Sequence, residues 1–134
     1  MKNSNNLSDA IARVNNAQKI KKQYVIVKYS QLIITIFRLL LKLGYIEKVQ
    51  KIIYKKNISL LKIYLKYESK IYNSVIKEFK IISKPGRRIF MKYNKIKRFY
   101  NGLGTIIISS SKGVITDYYA IENKVGGELL CKII

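Results

Sequence analysis

Three serines, a lysine and a glycine stand in a row: Ser109, Ser110, Ser111, Lys112 and Gly113. They follow a β-rich run, Thr105-Ile106-Ile107-Ile108. Hydroxyls both donate and accept, an ammonium donates, and none of these groups has much to give an apolar core. At a surface they suit the varied polar edges of RNA, with hydroxyls toward base edges and 2′-hydroxyls and Lys112 toward phosphate. As a purely structural segment, the same residues would make a polar strand-to-helix connection with Thr116 as N-cap.

A second basic segment is Ser83-Lys84-Pro85-Gly86-Arg87-Arg88. Pro followed by Gly suits a type II turn. The segment is either a solvated hairpin tip or a phosphate contact through Lys84, Arg87 and Arg88. Asn101-Gly102-Leu103-Gly104 has the look of a phosphate-cradling loop, but position 107 is Ile107 and no Gly-Lys-Ser/Thr follows. It is better read as a tight turn into a strand. Most of the eleven tyrosines are spread along expected strands, which favours core or sheet-surface places over a clustered stacking platform.

Enzyme chemistry finds little to work with. Histidine is absent, so the serines have no triad partner and the usual metal and acid–base residue is missing. The acids Asp9, Glu47, Glu68, Glu78, Asp117, Glu122 and Glu128 are scattered. Cys131 is the single cysteine, which excludes an intrachain disulfide; its apolar neighbours suit a buried small hydrophobe. Neither a cofactor nor a small-molecule substrate is expected.

The chain is long enough for one domain or two small ones, with 134 residues of which 49% are apolar. Lys and Arg number 27 against 7 acids, a net charge of +20. Working surface charge is usually about 2–8 in magnitude, so a polyanion is called for, nucleic acid first and an anionic membrane second. The polar stretch Met1-Lys2-Asn3-Ser4-Asn5-Asn6 has neither an apolar signal core nor the Arg-rich pattern of an import peptide; the expectation is a protein made where it works, or a processed form. Residues 32–46 are apolar, but Arg38 and Lys42 interrupt them. Each would cost roughly 2.5–3.5 kcal/mol at a bilayer centre, and the run falls short of the ~20 residues of a span. A core helix is expected there, with no membrane insertion.

The elements that must position these groups follow from periodicity. Leu7, Ala10, Ile11 and Val14 make one apolar stripe of a helix over residues 7–19. Residues 24–27 read as a strand. Ser30 is an N-cap for a helix over residues 31–43, with Gly44 as its stop. Residues 45–54 and 58–67 form a hairpin. A polar stretch, residues 68–73, is the expected linker. Beyond it, residues 75–83 pair with 87–92 across the Pro-Gly turn, and residues 94–100 make a short helical turn. Residues 105–109 are a strand, 116–123 a short helix and 128–134 a final strand, entered through the free backbone of Gly126 and Gly127. The fold class is α+β: an N-terminal α/β domain (residues 1–70, helix-strand-helix-strand-strand), then a β-rich C-terminal RNA-binding domain with a short helix (residues 71–134).

Four blocks in order now resemble a known family. They are Ile82-Ser83-Lys84-Pro85-Gly86-Arg87-Arg88-Ile89, Asn101-Gly102-Leu103-Gly104, residues 108–117 around the serine run, and Gly126-Gly127-Glu128-Leu129-Leu130-Cys131. Their order and spacing are similar to those of the bacterial-type small-subunit ribosomal protein number eight. Residues 7–17 resemble that family's first helix, and Gly44-Tyr45-Ile46 the end of its second. Any one block is a weak motif, but four in order argue against coincidence, and with the two N-terminal segments the resemblance covers nearly the whole chain.

The resemblance implies a primary rRNA-binding protein that clamps a central-domain rRNA helix, supports assembly and translation, and sits beside neighbouring small-subunit proteins. It implies RNA contacts for Ser109, Ser110, Ser111, Lys112, Gly113, Thr116, Glu128, Ser83, Lys84, Pro85, Gly86, Arg88, Phe90, Arg13, Asn16 and Ser30. Phe90 stands where the family often has Tyr, Gln31 replaces a basic residue, and Asn15 replaces a second Arg. The Ile and Lys bias points to an AT-rich genome and an organellar ribosome, mitochondrial first, with plastid and AT-rich bacterium as alternatives. The rival classes are a peripheral basic membrane-associated protein, anchored by residues 32–43, and a nonspecific RNA-binding protein.

Overall fold

The computed structural model describes residues 2–68 and 73–134, with side chains from residue 6 onward. The expected linker at residues 68–73 lies largely outside the described residues.

The first helix, α1 (Lys2–Lys19), begins five residues earlier than the apolar stripe announces. The extra residues are polar and carry no periodicity signal. Strand β1 (Tyr24–Lys28) leads to α2 (Gln31–Leu43). Ser30 caps α2 as expected, its Oγ accepting from the Ile33 amide at 3.1 Å, and Gly44 closes it at φ 89°. The buried face of α2 is Ile33, Ile34, Ile36, Phe37 and Leu40, whereas Gln31, Arg38 and Lys42 are exposed. This apolar face is spent on the core, which removes it as a membrane anchor. Among the described residues no helix is long and apolar enough to cross a membrane.

Strands β2 (Ile46–Lys55) and β3 (Ile58–Leu65) make the expected hairpin, and β1 joins β3 to give an antiparallel sheet of order β1-β3-β2. Alternation puts Val27, Leu61, Ile63 and Leu65 under the two helices and leaves the other face outside.

The C-terminal half departs from expectation in its pairing. β4 (Phe79–Ile81) and β5 (Phe90–Met91) are shorter than the predicted strands and do not pair with each other. Both lie antiparallel against β8 (Gly127–Ile133), at Phe79↔Ile133 and Phe90↔Glu128. The turn between them forms, with Lys84 and Arg87 exchanging backbone hydrogen bonds of 3.0 and 2.9 Å. Gly86 is not in the left-handed region that a type II turn requires, so the predicted turn type is wrong. In place of one helical turn there is a 3₁₀ turn, Tyr93–Lys95, followed by a tight turn over Phe99–Gly102 in which Tyr100 and Asn101 are left-handed, at φ 48° and 52°.

β6 (Thr105–Ser110), β7 (Gly113–Thr116) and α3 (Asp117–Glu122) complete the chain, and the second sheet runs β4-β8-β6-β7 with β5 also on β8. Each sheet uses strands from one side of residues 69–72. This sheet is apolar on both faces. Ile107, Cys131 and Ile133 join the cluster formed by α1, α2 and the first sheet, while Ile108, Ile115, Leu129 and Ala120 form a second cluster with α3. Phe37 on α2 meets Phe79 on β4 edge to face at 6.3 Å. The Asn15 amide of α1 donates to the Phe79 carbonyl at 2.9 Å.

Gly126 and Gly127 have another reason than the one expected. Neither has a left-handed φ. A side chain at Gly126 would place its Cβ 2.5 Å from the Met91 carbonyl, and one at Gly127 would collide with the Ser109 carbonyl. Close approach of strands, and not backbone freedom, requires them.

Candidate nucleic-acid interface

The serine run is a β-hairpin rather than the strand-to-helix connection expected. Ser109 and Ser110 end β6, Gly113 opens β7, and the ladder pairs Ile108↔Ile115, Ser109↔Val114 and Ser110↔Gly113. Ser111 and Lys112 form the tip. Only Gly113 has a left-handed φ, at 102°, the pattern of a type I turn closed by a glycine bulge. Four residues of β7 are too few to show by periodicity. Thr116 keeps its expected cap role, its Oγ1 accepting from the Tyr119 amide at 3.1 Å.

The three hydroxyls are not equivalent. Ser110 Oγ donates to the Gly113 carbonyl at 2.9 Å and accepts from the Lys112 amide at 3.1 Å. Its single donor is committed to holding the tip. Among the described residues, the hydroxyls of Ser109 and Ser111 make no hydrogen bond. Ser111, Lys112 and Gly113 are exposed, and Ser109 is half-buried.

Cross-strand register then assembles a row. Phe90 on β5 faces Glu128 on β8, Glu128 faces Ser109 on β6, and Ser109 faces Val114 on β7. Register partners on antiparallel strands present side chains to the same face. Phe90 is 69% exposed at the end of this row. Glu128 Oε2 accepts from Arg88 Nη1 at 3.0 Å, a pair whose side chains are only 13% and 26% exposed. This partnership was not foreseen, because residues forty apart in the chain carry no local spacing signal; opposite charge was the only clue. Arg88 is thereby a brace for Glu128. Beside Phe90, a shallow apolar cleft of about 550 Å³ is lined by Met91, Tyr93, Asn94, Gly126 and Gly127.

Ser83, expected at the interface, is buried: its Oγ accepts from the Ile89 amide at 3.0 Å and so folds back the segment that carries Arg88. The turn residues it supports, Lys84, Pro85, Gly86 and Arg87, are all exposed.

The remaining expected residues lie elsewhere. Arg13 and Asn16 are exposed on α1 and line a cleft of about 370 Å³ with Ile20, Lys22, Tyr24 and Ile26. Arg13 also pairs with Asp9 at 3.1 Å, both being more than half exposed. Ser30 and Thr116 spend their hydroxyls on helix caps. The chemistry of the main cluster is therefore two uncommitted hydroxyls, a braced carboxylate and an open aromatic ring, flanked by Lys112 and a basic turn. It can donate to, accept from and stack on an irregular polyanion.

A family model described as Ribosomal protein S8 matches residues 5–134. Curated relatives share comparable likeness. The protein named small ribosomal subunit protein uS8 from Syntrophus aciditrophicus is 42% identical over 128 residues, covering 95% of each chain. Those of the same name from Wolinella succinogenes and Borrelia turicatae are both 40% identical, covering 95% and 97% of each chain, respectively.

Proposed function

The chain belongs to the ribosomal protein S8 family and is a structural constituent of the small ribosomal subunit, and from that premise we propose that its C-terminal sheet reads an irregular site in central-domain rRNA. The observation that carries this reading is the row of Phe90, Glu128 and Ser109 beside the exposed tip at Ser111 and Lys112. A-form RNA hides its major groove, so a protein must find distorted or unstacked bases. Ser109 and Ser111 offer hydroxyls to base edges and riboses, and Glu128, held by Arg88, accepts from exocyclic amines or 2′-hydroxyls. Phe90 offers a ring face. Lys84, Arg87 and Lys112 supply salt-dependent attraction and fix the register on the backbone without reading sequence.

In this reading residues 71–134 are the principal RNA-binding unit, while residues 1–70 brace it and add Arg13 and Asn16 at a separate contact. Family membership brings small-subunit rRNA and neighbouring ribosomal proteins as partners, and the role is structural, without catalysis. The organellar placement rests on the Ile and Lys bias and on the departures at Phe90, Gln31 and Asn15; the named relatives are bacterial, and imaging of the tagged chain in its own cell decides it.

The test is binding of the purified chain to a short central-domain rRNA hairpin and to a scrambled hairpin, over a salt series. Preference for the target that persists as salt rises is expected. Equal affinities that collapse together would reduce the chain to a nonspecific coating of RNA.

A further inference from the structure

The outer face of the N-terminal sheet carries groups that no part of the C-terminal site uses. Two antiparallel registers align three residues each: Tyr24, Tyr64 and Lys48 in one row, Ile26, Lys62 and Gln50 in the next. The helices pack on the opposite face, through Val27, Leu61 and Ile63. Tyr24 is 41% exposed. The two tyrosine rings lie 6.0 Å apart and tilted by 53°, so they do not cover each other. Lys62 Nζ sits 4.0 Å from the Tyr24 ring centre and 5.1 Å from that of Tyr64, and Lys48 Nζ sits 5.5 Å from Tyr64. The face continues at β1 into the cleft lined by Arg13, Asn16 and Lys22. Glu47 is the only acid in this sheet.

We propose that this face is a second RNA surface, taking an unpaired stretch whose bases stack on Tyr24 and Tyr64 while Lys62, Lys48 and Lys22 meet its phosphates. A pleated sheet presents rings at spacings that suit successive unstacked bases, and stacking is sequence-tolerant because every base has a π-face. Lys62 is a placeholder in the free protein. An ammonium over an exposed ring is held more weakly than a stacked base, so a base can take the ring and release the ammonium to phosphate. The rings, and not the charge, favour RNA over an acidic protein patch, since rings interleaved with ammoniums match alternating bases and phosphates. This surface shares with the proposed function only that its ligand is RNA; it needs no serine hairpin.

The test uses the full chain with a fluorescein-labelled twelve-nucleotide oligouridylate, read by anisotropy, and phosphatidylserine vesicles as the competing polyanion. Tyr24→Ala with Tyr64→Ala should weaken oligonucleotide binding about tenfold or more. Tyr24→Phe with Tyr64→Phe, which keeps the rings, should stay within about twofold of wild type. Lys62→Gln should flatten the salt dependence by about 0.7 in log–log slope. The same variants should keep their preference for the structured rRNA hairpin over its scrambled form. If the double alanine variant does not fold, Tyr24→Ala alone, at the edge strand, carries the test with an expected loss of about fivefold. Wild-type oligonucleotide affinity in a folded alanine variant overturns the proposal. So does loss of vesicle binding without loss of oligonucleotide binding, which would assign the face to lipid.

Discussion

Replacing the three serines one at a time should separate holding the hairpin from reading RNA. Ser110 makes two local hydrogen bonds, at 2.9 and 3.1 Å, and its donor is used within the turn. A hydrogen bond is worth about 0.5–1.5 kcal/mol net, and these two lie at a wet tip, so Ser110→Ala should cost about 1 kcal/mol in total. For a chain of this size that is a fall in Tm of about 3–5 °C. Because the loss is local, the Lys112 amide should exchange with solvent about fivefold faster, as 1 kcal/mol of opening free energy implies. Ser109→Ala and Ser111→Ala break no hydrogen bond within the described structure, and their stability should stay within about 0.5 kcal/mol of wild type. On the rRNA hairpin the order reverses. Each uncommitted hydroxyl that meets a base edge or ribose is worth about 1 kcal/mol, so each change should weaken target binding roughly fivefold and leave the scrambled hairpin alone. The assays are thermal melting, amide exchange and anisotropy on both hairpins. A Ser110→Ala variant with unchanged melting and exchange would refute the turn-holding role. Equal losses on target and scrambled RNA for Ser109→Ala and Ser111→Ala would refute the reading role.

Three further outcomes are expected. Gly127→Ala, whose Cβ would run into the Ser109 carbonyl, should destabilise by about 1–3 kcal/mol or more in urea titration; Gly113→Ala, with open space but φ 102°, should cost only about 1–2 kcal/mol of backbone strain, and the reverse order would contradict the strand packing. Ser83→Ala should cost about 1–3 kcal/mol because the Ile89 amide loses its buried acceptor, with equilibrium unfolding as the check. Burial pushes the Cys131 thiol from 9.0 up to about 12, so iodoacetamide at pH 8 should leave it unmodified until the chain unfolds. The unfolded thiol ionises first as pH rises, so this group's contribution is intact below pH 9 and is lost toward pH 12, by up to about 1.4 kcal/mol per unit.

What the sequence determined by itself is what local chemistry fixes. The α2 caps at Ser30 and Gly44, its polar strip, the β2–β3 hairpin and the cap at Thr116 each depend on neighbours within four residues or on simple alternation, and the structure keeps all of them. The order of four motif blocks and the charge of +20 pointed to the family and its polyanionic partner. What only the tertiary structure decided depends on residues far apart. β4 and β5 look like a hairpin because a Pro-Gly turn joins them, yet both find β8, since non-local pairing buries Phe79 and the segment between them is turned back by Ser83 and the Lys84–Arg87 turn. A serine's type says that it can hydrogen-bond and not with what. Ser83, Ser110, Ser30 and Thr116 spend their hydroxyls on backbone amides, while Ser109 and Ser111 keep theirs. The Arg88–Glu128 brace and the tyrosine–lysine face of the first sheet are likewise products of register, which brings together side chains that the sequence holds about forty residues apart.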